Sequence, residues 1–251
     1  MTDVVILQAG TAPDDMRHDN GDIPHWFLNA LQSTAHGVEV VKAYLEDATL
    51  PTPTTDRVAI ITGSWSMVTD RHPWSENLAA WIRQAIAVGM PLFGICYGHQ
   101  LMAHALGGSV DYHVDGCEIG CLPVRLTAAG TSDPLLGQWP SAFPAHLTHL
   151  QTVTCLPPGA QVLAYSDHDP HQIIRYAANA ISVQFHPEFT LPLAAACIRR
   201  REATLASQGL DLAQLLSDLQ DTADAKRLLL SFIQLSRRTV SSSMESHNVP
   251  A

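Results

Sequence analysis

The stretch PLFGICYGHQ, residues 91–100, sets a cysteine between two glycines, each two positions away. Residues 91–95 ahead of it form a short apolar run that reads as a buried strand. Behind it, Leu101, Met102, Ala105 and Leu106 recur at helical spacing up to the pair Gly107 and Gly108. Strand, sharp turn and helix is the setting of a nucleophile elbow. Its turn is strained, and the flanking positions approach their neighbours too closely to carry a side chain. Gly94 and Gly98 suit those structural positions, and Cys96 suits the tip. Amides opening the following helix point at such a sulfur, which favours its thiolate and supports an oxyanion.

Two plainer roles compete with that one. Free cysteine is among the most buried residue types, and core packing is the reading for Cys117, Cys121, Cys155 and Cys197. Thirteen histidines supply pairs such as His146 with His149, His168 with His171 and His99 with His104. None joins a CxxC or HExxH pattern, so no metal and no cofactor is expected.

A second informative stretch is VQFHPEF, residues 183–189. His186 follows an apolar strand, Pro187 stiffens the turn, and Glu188 stands two residues on, on the same side of an extended chain. A carboxylate there can fix the tautomer of the imidazole while the other ring nitrogen serves a nucleophile. HxE at a strand end is also compatible with a solvent-facing loop.

Outward from these motifs, the chain alternates apolar strands and amphipathic helices. Strands are expected at residues 4–7, 38–44, 58–62 and 91–95, and helices at 26–35, 75–88 and after Cys96. Residues 10–26 read as a polar loop, and 109–165 as short strands and turns. Residues 172–176 and 180–185 form a hairpin about an Ala-Asn turn. Two helices, 193–207 and 210–235, follow, with Asp211 as a cap for the second, and a frayed tail closes the sequence. This order predicts an α/β fold with a mostly parallel sheet covered on both faces. The expected division is a catalytic domain over 1–190, C-terminal helices packed on it over 191–240, and a flexible tail over 241–251.

Composition bounds the rest. The chain has 251 residues, 46% hydrophobic and 15% charged, as suits a packed globular enzyme. A formal charge of -10 with fourteen Lys and Arg argues against nucleic acid as a partner. No stretch reaches eighteen uncharged apolar residues, so no membrane span is expected. Residues 1–10 read as a first strand and not a signal peptide. Five scattered cysteines point to a reducing, cytoplasmic setting.

Taken together, GICYGHQ and QFHPE resemble the class I, triad-type glutamine amidotransferases, over roughly residues 58–189 and most like the stand-alone form of the GMP synthase-type branch. The resemblance implies a flavodoxin-like open sheet and a triad of Cys96, His186 and Glu188. It implies an oxyanion hole from the Tyr97 amide and the Gly63–Ser64 turn, and substrate contacts from Gln100 with Trp65 at the pocket mouth. The implied substrate is glutamine or a γ-glutamyl small molecule. A separate ammonia-accepting synthetase and a homodimer through the C-terminal helices both stay open.

The sequence departs from the family at Gly63-Ser64-Trp65, where synthetase-linked members commonly carry Gly-Gly-Pro. It departs again at His149-Leu150-Gln151, where they often carry His-x-Asp. Gly116, Glu118 and Gly120 match the family and read as a turn with a structural contact. Residues 190–251 are expected to form a helical appendage and no synthetase domain. Three readings result. One is a cysteine amidase acting on glutamine, the second a γ-glutamyl peptide or conjugate hydrolase, and the third a binding or regulatory protein on the same scaffold.

Overall fold

Four parallel strands, buried at every position, form the heart of the sheet: β1 (Val4–Leu7), β3 (Val58–Ile61), β4 (Leu92–Ile95) and β11 (Ala180–Val183). Continuous burial on both faces is what a parallel sheet demands. The structure, a computed structural model, describes residues 3–31 and 37–246, with side chains to residue 237. Between the central strands lie α1 (Asp14–Asn20), α2 (Ile23–Leu31), the edge strand β2 (Val38–Val41) and α3 (Pro73–Val88). After β4 come α4 (Tyr97–Ala105), β5 (Ser109–Tyr112), β6 (Glu118–Leu126), the short α5 (Ala128–Thr131) and β7 (Ala142–His149). Then follow β8 (Gln151–Cys155), β9 (Gln161–Tyr165) and β10 (Ile173–Ala177).

The sheet order is β2-β1-β3-β4-β11-β10-β9-β6-β7, with β5 and β8 forming a separate ribbon. Pairing is parallel from β2 to β11 and antiparallel from there to β7. This is the expected α/β class, a mixed sheet with helices on both faces. Behind β11 the chain continues as α6 (Leu191–Arg200), α7 (Glu202–Ser207), α8 (Leu212–Ser217) and α9 (Ala223–Ser246). Leu228, Leu229, Phe232 and Ile233 of α9 share one buried cluster with Ile6, Ile60 and Phe93 of the sheet.

Several local expectations need correction. Residues 14–20 of the expected polar loop are helical, started after Pro13 by Asp14 and Asp15 and stopped by Gly21 at φ 72°. Acids in a first turn and a left-handed glycine at the end are helix signals that polarity had masked. The second strand ends at Val41, short of residue 44. The 109–165 region holds a long hairpin, β6 with β7, in place of short strands alone. The 193–207 helix breaks between Arg200 and Glu202. The 210–235 helix breaks after Ser217, where the Gln220 carbonyl accepts a hydrogen bond from His146. Asp211 does cap α8, accepting from the Ala213 and Gln214 amides. Residues 241–246 of the expected tail continue α9. Residues 32–35 of the helix expected at 26–35, and 247–251 of the tail, lie outside the described residues.

Candidate active site

Strand register brings the two motifs together. Val183 pairs with Ile95, and the Cys96 amide donates to the Val183 carbonyl at 2.9 Å. Cys96 therefore leaves the C-terminal edge of β4 beside the point where β11 sends out His186. The edge where parallel strands end is where open α/β sheets present ligand sites.

Cys96 sits at φ 51°, ψ −100°, a conformation that L-residues rarely adopt. The neighbouring glycines make it attainable. A Cβ on Gly98 would fall 2.4 Å from the Ile61 carbonyl oxygen, and one on Gly94 would fall 2.7 Å from the Gly98 oxygen. Gly63 forms a notch on the opposite wall. A methyl group there would lie 3.1 Å from His186 Cε1 and 3.7 Å from Cys96 Cβ.

Beyond the notch, Thr62 fixes a peptide. Its hydroxyl accepts from the Ala9 amide at 3.0 Å and donates to the Gly63 carbonyl at 2.9 Å. A trans peptide carries its N–H opposite its C=O, so the Ser64 amide is turned away from Thr62. The Tyr97 amide is the first of α4 and has no partner within its helix.

His186 Nδ1 lies 2.7 Å from Glu188 Oε1, and both side chains are buried. The imidazole stacks on Phe189 at 4.0 Å between ring centroids, and its main-chain amide donates to the His146 carbonyl. Nε2 is buried without an oxygen or nitrogen partner. Burial opposes protonation of this ring, yet the Glu188 and Cys96 charges outweigh it and raise the pKa to about 10. Burial likewise opposes ionisation of Cys96, and the His186 charge outweighs it, so the thiol pKa is lowered. The arrangement favours a thiolate facing an imidazolium. Cys197, buried on the same cavity, shows the contrast: burial dominates there and pushes its thiol up to about 12.

Two cavities meet at Cys96. One, of about 200 Å3, is lined by His186, Glu188, Phe189, Trp26 and Trp65. The other, of about 240 Å3, is lined by Tyr97, Gln100, His149 and Gln151. Gly63, Ser64 and Trp65 line the first, and Ser64, Trp65 and Arg201 are shared with the second. Gln100 is in the second wall, but its amide nitrogen donates to the Gln151 carbonyl and to Gln184. The Tyr97 ring stacks on Trp74 and its hydroxyl is bonded to Ser75.

Beneath the second cavity lies a buried ion pair. His149 directs Nδ1 at the Gln151 carbonyl, 2.9 Å away, and Nε2 at Glu118, 2.8 Å away. Two acceptors require two N–H groups, which makes the ring a cation. Burial opposes that charge and the Glu118 carboxylate outweighs it, raising the His149 pKa. Glu118, His149 and Asp169 stand close enough to hold a metal ion. Their oxygens already accept from protein donors: Ser166 and Gln172 on Glu118, Thr152 and the His171 amide on Asp169.

Several contributors carry no local sequence signal. Thr62, Trp26 and Arg201 reach the site from separate elements. Gln151, at the departure from His-x-Asp, bonds the Val68 amide and the Thr69 hydroxyl, tying the 64–70 segment to β8. Of the other cysteines, Cys117 and Cys197 are buried, Cys121 is half-buried, and Cys155 is exposed at the end of β8, against the core-packing expectation. No helix among the described residues is long and apolar enough to cross a membrane.

The family model described as glutamine amidotransferase class-I matches residues 17–201. The chain belongs to that family. It is 36% identical to a glutamine-hydrolysing GMP synthase of Thermomicrobium roseum over 51% of this chain and 23% of that protein. It thus spans under a quarter of the synthase. It is also 31% identical to a γ-glutamyl-L-1-hydroxyisopropylamide hydrolase of Pseudomonas sp, over 64% of this chain and 56% of that one. The crystal structure of SMU.1228c superimposes with a TM-score of 0.73 at 25% identity, covering 94% of this chain and 99% of that one.

Proposed function

We propose that this protein hydrolyses the side-chain amide of glutamine or of a related γ-glutamyl compound, through a thioester on Cys96. The observation that carries this reading is the single notch at Gly63, where the Cys96 and His186 side chains meet while Glu188 holds the far side of the imidazole. The Cys96 thiolate attacks the carboxamide carbon, and the carbonyl electron pair moves onto oxygen. In this reading the Ser64 and Tyr97 amides receive that oxyanion. The His186 imidazolium gives its Nε2 proton to the amide nitrogen, the C–N bond breaks, and the amine leaves. Now neutral, His186 takes a proton from water as the water attacks the thioester. Collapse releases the γ-carboxylate of glutamate and returns the sulfur.

The hydrolase of Pseudomonas sp is named for a γ-glutamyl amide whose nitrogen bears carbon, which supports including substituted amides. Five unpaired cysteines favour a reducing, cytoplasmic setting. The test is intact-mass detection of a glutamyl adduct on Cys96 after rapid quenching, with glutamate release followed in parallel. Cys96→Ala, with its fold checked by circular dichroism, is expected to lose both signals. Glutamate release at the parent rate from that variant would refute the assignment.

A further inference from the structure

We propose that the cavity on the His186 side of Cys96 is a subsite for an apolar amine, so that the preferred substrate is a γ-glutamyl amide of such an amine and not glutamine itself. This deepens the thioester reading and rests on it. During attack the reacting carbon holds four groups: the Cys96 sulfur, the oxyanion, the departing nitrogen and the glutamyl chain. The nitrogen must lie toward His186, the proton donor, so whatever the nitrogen carries extends into the cavity that His186 lines. The glutamyl chain is left with the other cavity, which Tyr97, Gln100, His149 and Gln151 line.

Ammonia does not need the room on the His186 side. That cavity measures about 200 Å3, whereas roughly 10–15 Å3 on such a measure holds one water-sized molecule. The aromatic part of its wall gives ammonia no partner either. Trp26 meets Trp65 edge to face at 6.1 Å and Phe189 at 5.9 Å, so three aromatic rings pack together in the wall of the cavity that His186 also lines. The Trp26 indole N–H is spent on the Asn20 carbonyl at 2.8 Å, so the ring is fixed and its polar group satisfied. Phe189 is fixed by its stack on His186. Thr148, Thr204, Arg200 and Arg201 complete the lining, so the aromatic rings form one wall of the cavity, and that wall rewards an alkyl or arylalkyl substituent.

The experiment compares kcat/KM of the intact protein for glutamine, γ-glutamyl-methylamide, γ-glutamyl-butylamide and γ-glutamyl-benzylamide, with the Cys96 adduct measured for each. The expected result is an adduct from every member and kcat/KM rising along the series. Glutamine should trail the benzylamide by about tenfold or more, the discrimination that small apolar contacts supply. Trp65→Ala and the milder Trp26→Phe, each checked for folding, should shrink the benzylamide-to-glutamine ratio. An adduct from glutamine with equal or higher kcat/KM than the larger amides would overturn the subsite and leave the thioester reading standing. No adduct from any member would overturn both.

Discussion

Glu188 reaches back across Pro187 to place Oε1 2.7 Å from Nδ1 of His186, inside a site where neither side chain is more than 7% exposed. The pair is local in sequence, two residues apart, yet it orients the ring toward a sulfur that arrives ninety positions earlier. Glu188→Gln keeps the shape and removes the charge. His186→Ala removes the proton carrier and is expected to slow acylation by about 10²–10⁴-fold, the usual contribution of such a group. The Glu188→Gln loss should be smaller, and single-turnover adduct formation measures both. Equal losses would mean that Glu188 does more than orient.

Because the neighbouring imidazolium lowers its pKa, Cys96 should alkylate with iodoacetamide at pH values below the ordinary thiol range near ~8.5. In His186→Asn the burial stays and the compensating charge goes, so the inactivation profile should move to higher pH. An unchanged profile in that variant would exclude His186 as the cause. Cys197, held up to about 12, should stay unmodified throughout, which peptide mapping reads directly.

Gly98 and Gly63 should separate stability from rate. Alanine at 98 sets a methyl 2.4 Å from the Ile61 carbonyl, backbone against backbone with nothing to swing aside. A loss of about 1–3 kcal/mol or more is expected in urea unfolding. Alanine at 63 presses on the His186 ring at 3.1 Å. That variant should melt close to the parent and lose activity, since an ångström of misplacement weighs heavily on a reacting constellation.

His99 supplies a pH test of the scaffold. It is fully buried, contacts Ser182 Oγ through Nδ1 at 2.7 Å, and burial lowers its pKa to about 3. The unfolded chain takes up this proton near pH 6.5, and the folded chain does not until about 3. Between those values the unfolded state binds more protons, so the His99 contribution makes stability rise with pH. A His99→Asn variant should show a flatter slope across that window and no change of slope above it.

The fold class was legible because its signals are local. Apolar runs bounded by glycine mark β1, β3 and β4, and GxC with CxG spacing marks the elbow. The helix α1 was missed because its residues are almost wholly polar; only Met16 is buried. The break between α8 and α9 was missed because its cause is distant, the His146 ring binding the Gln220 carbonyl. For the same reason Thr62, Trp26 and Gln151 had no signature. Each acts through a partner dozens of residues away or through a backbone atom, neither of which spacing can display.

The packing of α9 against the central strands bears on how the molecule is made. All three residues of the proposed triad have been synthesised by position 188, but the buried cluster that holds Ile60 of β3 and Phe93 of β4 is completed by Phe232 and Ile233. Synthesis must therefore pass position 233 before this face of the sheet can be sealed. Until then the nascent polypeptide exposes the apolar strands on which its chemistry will rest.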